Sequence, residues 1–465
     1  MSDGRRALAH VGPWTVGVPD AVPGDLADVE LRERREGAYR GHMITLVRPS
    51  PQRVAPMCPH FEQCGGCQWQ RISDAAQAEY KGALVRRALA AVDLGKVPVR
   101  VVPAAAPWAY RTAGTYVPAV DDRGPALGLH AAAGPLPVPI HTCLVQSPPL
   151  RAAFDEMQRA WRALAARLEH AGTGKVPCRQ VRIRIGDASR DVAIGLIHDG
   201  RLTQHAREAI VDVIVSHVAR VVEITGKPAR SLPRPGGSMS GLRWGRSGVV
   251  DAILDRWYHV PVFAPFPVTG RAAGGAIASA LDALALDNGT TLLETDAGIG
   301  AYTLPAASRA RRVVGRTTAE HLEMARQNAL WNDAANAVFV DRAAQTLARL
   351  FRSHGPIQRA LVQVTPDPVP FEALHRAGVR RLVLLTSSPT RLGEALRAAA
   401  ADGFEARAVT VTDTHPQTSR AEIHVALEAR HGAWPGAGTR DTHDEVPPVL
   451  EPLHPLRGSA EPQPR

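Results

Sequence analysis

A multidomain α/β protein is predicted from three observations. Short alternating strand segments open the chain, three cysteines fall within ten residues after them, and helix and strand patterns alternate from about residue 261. The 465 residues are too many for one ordinary domain. The patterns divide them into a small β-barrel over 1–57, a mixed, strand-rich α+β central domain over 58–260, a doubly wound, Rossmann-like α/β domain over 261–430 and a disordered tail over 431–465.

Each element has its own signal. Trp14–Val18 and Ala27–Leu31 alternate as strands do, and Val22-Pro23-Gly24-Asp25 between them is a turn sequence. Met43–Val47 supplies a third strand, which suggests a small OB-like barrel of the kind that binds oligonucleotides. A helix is expected over Asp74–Val92 and another over Leu150–His170. In the second, Phe154, Met157, Trp161 and Leu164 recur at helical spacing and are expected in the core. Helices follow at Ile277–Leu286 and Thr318–Leu330, and strands at Thr290–Glu294, Val313–Gly315, Ala360–Val364, Arg381–Leu385 and Arg407–Val411. That alternation is the mark of a doubly wound sheet. The segment from Gly432 onward is rich in Pro and Gly and is expected to stay unfolded.

Composition narrows the function. Hydrophobic residues make up 45%, enough for sizeable cores, yet no stretch approaches the roughly 18 apolar residues of a membrane span. Met1–Gly12 is charged and polar, unlike a signal peptide, so a cytoplasmic protein without membrane contact is expected. The charge balance of 55 − 45 = +10 favours a nucleic-acid partner. Only four of the 55 basic residues are lysines, so an arginine-rich base composition explains the charge equally well.

The cysteines carry more. Cys58, Cys64 and Cys67 are spaced C-x5-C-x2-C, and Cys143 lies in His141-Thr142-Cys143-Leu144 far downstream. Three thiolates on a tight loop plus a distant fourth suit a four-iron cubane. Gly65-Gly66 would let the backbone wrap closely around it. Zinc held by four thiolates is the physical alternative, although the second C-x2-C pair of a zinc ribbon is missing. Cys178 stands alone and is expected to be a buried structural thiol.

Residues 50–70, ending in Cys58-Pro59-His60-Phe61-Glu62-Gln63-Cys64-Gly65-Gly66-Cys67-Gln68-Trp69-Gln70, resemble the cluster segment of the RNA uridine-C5 methyltransferases. The resemblance extends through Pro23-Gly24-Asp25, Trp108-Ala109-Tyr110-Arg111 and Cys143 and covers about 8–430. It implies an N-terminal TRAM domain for RNA, a central [4Fe-4S] cluster on Cys58, Cys64, Cys67 and Cys143, and a C-terminal class I methyltransferase domain using S-adenosylmethionine. It also implies ribosomal or transfer RNA as partner, and a monomer is expected.

The family's site residues carry over unevenly. Glu294 replaces an acid of the cofactor loop, and Gly298 and Gly300 match its glycines. Thr317 stands where the family has a ribose-binding glutamate, and Pro267 where it has a cofactor-binding glutamine. Thr365-Pro366-Asp367-Pro368 replaces its D-P-P-R motif. Ala325-Arg326-Gln327-Asn328-Ala329 with Asn332 matches well, which helix packing alone explains. In the family a cysteine adds to uracil C6, the enolate attacks the methyl group, a base removes the C5 proton and the thiolate leaves. Cysteine suits this because a useful thiolate fraction exists near neutral pH. Here Ser387 holds that position, while Glu422 matches the base, Arg420 replaces a histidine and Asp413 matches an upstream aspartate. The expectation is an RNA-binding member of the family whose uracil methylation is weak or absent. An enzyme with altered site chemistry and a non-catalytic RNA assembly factor are the alternatives.

Overall fold

The computed structural model describes residues 6–35, 37–171, 176–200, 202–229, 241–270, 273–365 and 367–430. The expected tail over 431–465 lies outside them. Four strands open the chain: β1 (Arg6–Val11), β2 (Trp14–Pro19), β3 (Leu26–Arg35) and β4 (Ala38–Arg48). They form a sheet in the order β1-β2-β4-β3, with β2 and β4 parallel and the other pairs antiparallel. Gly41 in β4 permits the close packing here, since a Cβ there would meet Val29 Cγ1 at 2.5 Å. The Val22–Asp25 turn predicted from sequence is locked by Asp25, whose carboxylate accepts the N–H groups of Val22 (2.7 Å) and Ser50 (2.8 Å) and pairs with Arg53.

Helix α1 (Asp74–Ala90) and strand β5 (Val99–Val102) follow. Sequence places both in the central region, yet β5 pairs in parallel with a strand of the C-terminal sheet. Val85 and Leu89 of α1, each 1% exposed, bury themselves in the core beneath that sheet. Burial at this depth stabilises by about 1.5–3 kcal/mol per side chain.

The central unit is a seven-stranded sheet built from β6 (Ala113–Asp121), β7 (Gly124–Leu129), β8 (Val138–Pro139), β9 (Cys178–Ile185), β10 (Val192–His198), β11 (Val221–Pro228) and β12 (Arg243–Gly245). Its order is β12-β11-β10-β9-β6-β7-β8. Helices α2 (Pro148–His170) and α3 (Gln204–His217) pack on it and on each other. Ser147 caps α2 by accepting the Leu150 N–H, and Pro148 fits the first turn because its missing N–H needs no partner there. The predicted stripe Phe154, Met157, Trp161 and Leu164 lies in the core, none more than 2% exposed. A hairpin of β13 (Val249–Ile253) and β14 (Arg256–Val260) leads out.

The C-terminal unit alternates helix and strand: α4 (Ala273–Leu284), β15 (Thr291–Glu294), α5 (Thr303–Ala307), β16 (Arg312–Thr317), α6 (Ala319–Trp331), β17 (Ala337–Asp341), α7 (Leu347–His354), β18 (Arg359–Gln363), α8 (Phe371–Arg376), β19 (Arg381–Thr386), α9 (Pro389–Ala401), β20 (Phe404–Thr412) and β21 (Glu422–Ala429). The sheet order is β17-β16-β15-β18-β19-β21-β20-β5. The first five are parallel, and β21 runs antiparallel to both neighbours. The order reverses between β15 and β18, which is where open α/β sheets form a ligand crevice. Among the described residues no helix is long and apolar enough to cross a membrane.

Candidate functional site

Two candidate sites emerge, one of sulfur and one at the carboxyl edge of the C-terminal sheet. Cys58, Cys64, Cys67 and Cys143 all line one cavity of about 180 Å3, together with Tyr110 and Gln146. Backbone bonds aim the loop: Cys64 N–H donates to His60 O (2.7 Å), and Gly65 N–H donates to His130 O (2.9 Å). Gly65 is required there, because a Cβ would meet Ala131 O at 2.9 Å. Cys143 is fixed from its own loop, its carbonyl accepting Gln146 N–H (3.1 Å) and Arg151 Nη2 (3.3 Å). Burial pushes the Cys67 thiol up to about 12, with Cys143 adding to the effect. Burial also raises Cys64 and Cys143. Gathered thiolates are therefore costly without a cation among them, which is what a cluster of iron supplies. Among the described residues no group of three or more His, Cys, Asp or Glu side chains could hold a metal ion. Cys178 is elsewhere, buried in the central core with its thiol donating to Gln180 O (3.1 Å).

At the sheet edge, β15 is fully buried and ends in Glu294. The Glu294 carboxylate accepts the Thr303 hydroxyl. Burial lifts it from the ordinary 4.5 to about 7, against the opposing pull of that hydroxyl. A raised folded-state value means the proton favours the folded chain. That contribution is complete below about pH 4.5 and disappears as pH rises through about 7. Glu294→Gln is expected to match the parent near pH 5 and to exceed it by about 2–3 kcal/mol near pH 8. Urea unfolding at the two pH values checks this, and equal differences at both would refute it.

The glycine loop beyond β15 is closed by protein atoms. Gly298 and Gly300 have φ of +54° and +102°, which only glycine adopts without strain. Pro265 packs against Gly298, where a Cβ would meet its Cγ at 3.1 Å. Thr317, at the tip of β16 and 1% exposed, donates its hydroxyl to Gly298 O at 2.7 Å. The Thr317 hydroxyl is therefore already engaged within the protein. Pro267 is half-buried, and the next residue, Val268, anchors to the central unit by accepting Thr112 N–H (2.8 Å). Thr365, Asp367 and Pro368 line a cavity of about 340 Å3 at this edge. Asn328 of α6 and its C-cap Asn332 clamp β14, accepting His259 N–H (2.8 Å) and Trp257 N–H (2.9 Å), a structural use that explains their match.

Register brings Ser387 and Glu422 to one end of neighbouring strands. Thr386 pairs with Ile423, so Ser387 just beyond β19 faces the start of β21 at Glu422. Ser387 is exposed, and among the described residues nothing hydrogen-bonds its hydroxyl. Glu422 accepts the Tyr302 hydroxyl and His424 Nε2 (3.1 Å). Burial alone would raise its pKa, but the bonds from His424 and Tyr302 outweigh it and hold the carboxyl below the usual range. Sequence did not point to Tyr302, His424 or Thr303 as partners. Thr303 and Tyr302 follow the glycine loop at its expected helix start, which is the only signal they carry.

The segment before Glu422 is scaffold. Asp413 forms a buried pair with Lys81 of α1 at 2.5 Å, and Lys81 also donates to His415 O (3.1 Å). Gln417 exchanges bonds with Gln77, and its carbonyl accepts the N–H groups of Gln68 (3.0 Å) and Trp69 (3.1 Å). Thr418 lines the cysteine cavity, and Arg420 is exposed. The loop leading to Glu422 is thus bolted to the cysteine loop.

Relatives sharing the chain's length have such sequences. It is 25% identical over 439 residues to an uncharacterized RNA methyltransferase of Halalkalibacterium halodurans, covering 91% of this chain and 94% of that protein. It is 28% identical over 451 residues to the 23S rRNA (uracil(1939)-C(5))-methyltransferase RlmD of Alkalilimnicola ehrlichii, covering 91% and 93%. Among solved structures, the fold is similar to that of the Pyrococcus abyssi tRNA (uracil-54, C5)-methyltransferase in complex with S-adenosyl-L-homocysteine. The TM-score is 0.68 at 18% identity, over 91% of this chain and 99% of that one. No protein-family model matches the chain.

Proposed function

Because the chain belongs to the RNA uracil-C5 methyltransferase family, we propose that it is an RNA-binding member acting on ribosomal or transfer RNA, in which methyl transfer from S-adenosylmethionine to uracil C5 is weak or absent. One observation carries this reading. A serine needs a base within hydrogen-bond reach to become a nucleophile. Ser387 has no such partner among the described residues, and the nearby Glu422 is engaged by Tyr302 and His424. The Thr317 hydroxyl spent on Gly298 and the Pro265 packed against that glycine weaken the ordinary cofactor pocket in the same direction.

RNA binding rests on the N-terminal sheet as a TRAM-like barrel. Trp14, 48% exposed, meets Tyr39 edge-on at 5.9 Å, and the Arg34 guanidinium lies 5.7 Å from the Tyr39 ring centre. Aromatic faces beside arginines suit unstacked bases and phosphates. Cys58, Cys64, Cys67 and Cys143 would hold a [4Fe-4S] cluster, which when bound cross-links the cysteine loop to the Cys143 loop. Gln417 and Thr418 then tie that centre to the segment carrying Glu422.

Filter binding to ribosomal and transfer RNA between about 50 and about 200 mM salt, run beside a labelled-methyl transfer assay, tests the proposal. Affinity is expected to fall at least about tenfold over that range as counterions are released, with no label entering RNA. Absent or salt-independent binding refutes the RNA half. Label recovered at uracil C5 with turnover typical of an enzyme refutes the catalytic half.

A further inference from the structure

The cavity of about 340 Å3 sits over the carboxyl ends of β15, β16 and β18, beside the point where strand order reverses. Asp296, Arg316, Arg342, Gln363, Thr365 and Asp367 line it. In nucleotide-binding α/β sheets an acid at the end of the second strand accepts the ribose hydroxyls, and its replacement by a nearby arginine admits a phosphate on that ribose instead. Here that strand is β16, and it ends in Arg316-Thr317. The Thr317 hydroxyl is already given to Gly298 O.

The arginines are poised differently from surface ion pairs. Arg342 Nη1 lies 3.8 Å from Asp296, a long pairing. Among the described residues Arg316 has no carboxylate partner at ion-pair distance. Its Nη2 donates to the carbonyls of Arg342 (3.2 Å) and Gln345 (3.4 Å), and its Nε is buried with no partner at all. The guanidinium is therefore held in place by backbone acceptors while one of its donors goes unused. Burial and the neighbouring Arg342 disfavour its charge, Asp296 offsets part of that, and a bound dianion would relieve the remainder.

We propose that this cavity binds a nucleotide whose ribose carries a 2′- or 3′-phosphate, with Arg316 and Arg342 as the phosphate ligands. The proposal rests on the reading that this edge of the sheet no longer serves S-adenosylmethionine in the family's manner. Thr317 is buried and outside this lining, so the attraction for such a phosphate comes from the two guanidiniums that do line the cavity. Asp296 and Asp367 also line the cavity and oppose an anion, and Asp296, 3.8 Å from Arg342, must share that arginine with it.

Calorimetric titration of the full chain with adenosine, adenosine 5′-monophosphate, 2′-monophosphate, 3′-monophosphate and S-adenosylmethionine tests this. The 2′- or 3′-phosphate is expected to bind at least tenfold more tightly than adenosine or the 5′-phosphate. Arg316→Gln is expected to erase that preference and Arg316→Lys to keep part of it. Arg342→Gln, at a half-exposed site where folding is least at risk, is expected to reduce it severalfold. Equal binding of all the adenosine compounds, or no binding of any, overturns the proposal while leaving the RNA-binding reading untouched. So does a preference that survives both glutamine variants. Tight binding of S-adenosylmethionine instead overturns the reading on which the proposal rests.

Discussion

Lys81→Met is expected to lower the stability of the folded chain by about 3–5 kcal/mol, measured by urea unfolding at neutral pH. The side chains of Lys81 and Asp413 are only 1% and 3% exposed, and they are 2.5 Å apart. Burial pulls the lysine's pKa down and pushes the aspartate's up, so each tolerates its charge only because of the other. Removing the lysine leaves a carboxylate in an apolar setting beneath Trp69, whose ring the ammonium also faces at 5.6 Å. The matched control is the double change Lys81→Met with Asp413→Leu. It removes both charges, and it is expected to recover most of the loss, since an apolar pair of similar volume avoids the desolvation cost. A single-variant loss below about 1 kcal/mol would show that water reaches Asp413.

Cys67→Ser is expected to abolish the brown colour of anaerobically purified protein. Its iron should fall from about four atoms per chain to less than one. Burial pushes the Cys67 thiol up to about 12, and its neighbours Cys143, Cys64 and Cys58 add to that rise. Cys178→Ser serves as the control, because Cys178 packs in the central core away from the cavity. It should keep full iron. Loss of the cluster should also loosen the loop carrying Thr418, visible as faster amide exchange over 413–422. Stoichiometric zinc in place of iron, or iron unchanged in Cys67→Ser, would defeat the cluster assignment.

Local signals in the sequence carried most of the architecture. The α2 stripe was legible because Phe154, Met157, Trp161 and Leu164 repeat within one helix, and the cysteine loop because its spacing is short. The strands β15, β16, β18, β19 and β20 were each announced by a β-branched or leucine-rich run. What depends on distant pairing was not. Val99–Val102 looks like any short strand, and only its partner Val409–Thr412 decides which sheet it joins. β21 carries a motif that drew attention to its chemistry and hid its strand character. The Lys81–Asp413 pair spans 332 residues, beyond any sequence pattern. At the candidate site, Ser387 and Glu422 were found by likeness to a family, and register brings them to neighbouring strand ends. Arg316 carries no motif of its own, because the family's acid falls one residue later, at Thr317. The signal available was a basic residue immediately before that gap.

The excursion of β5 into the last sheet has a consequence for how this protein can be taken apart. A fragment starting near residue 261 would arrive with the flank of Phe404–Thr412 unzipped and with a trough where Val85 and Leu89 had lain. Bare sheet margins of that sort invite other chains to bind them. The C-terminal half is therefore not a detachable module. It borrows a strand and a helix from upstream, so it is not expected to fold on its own.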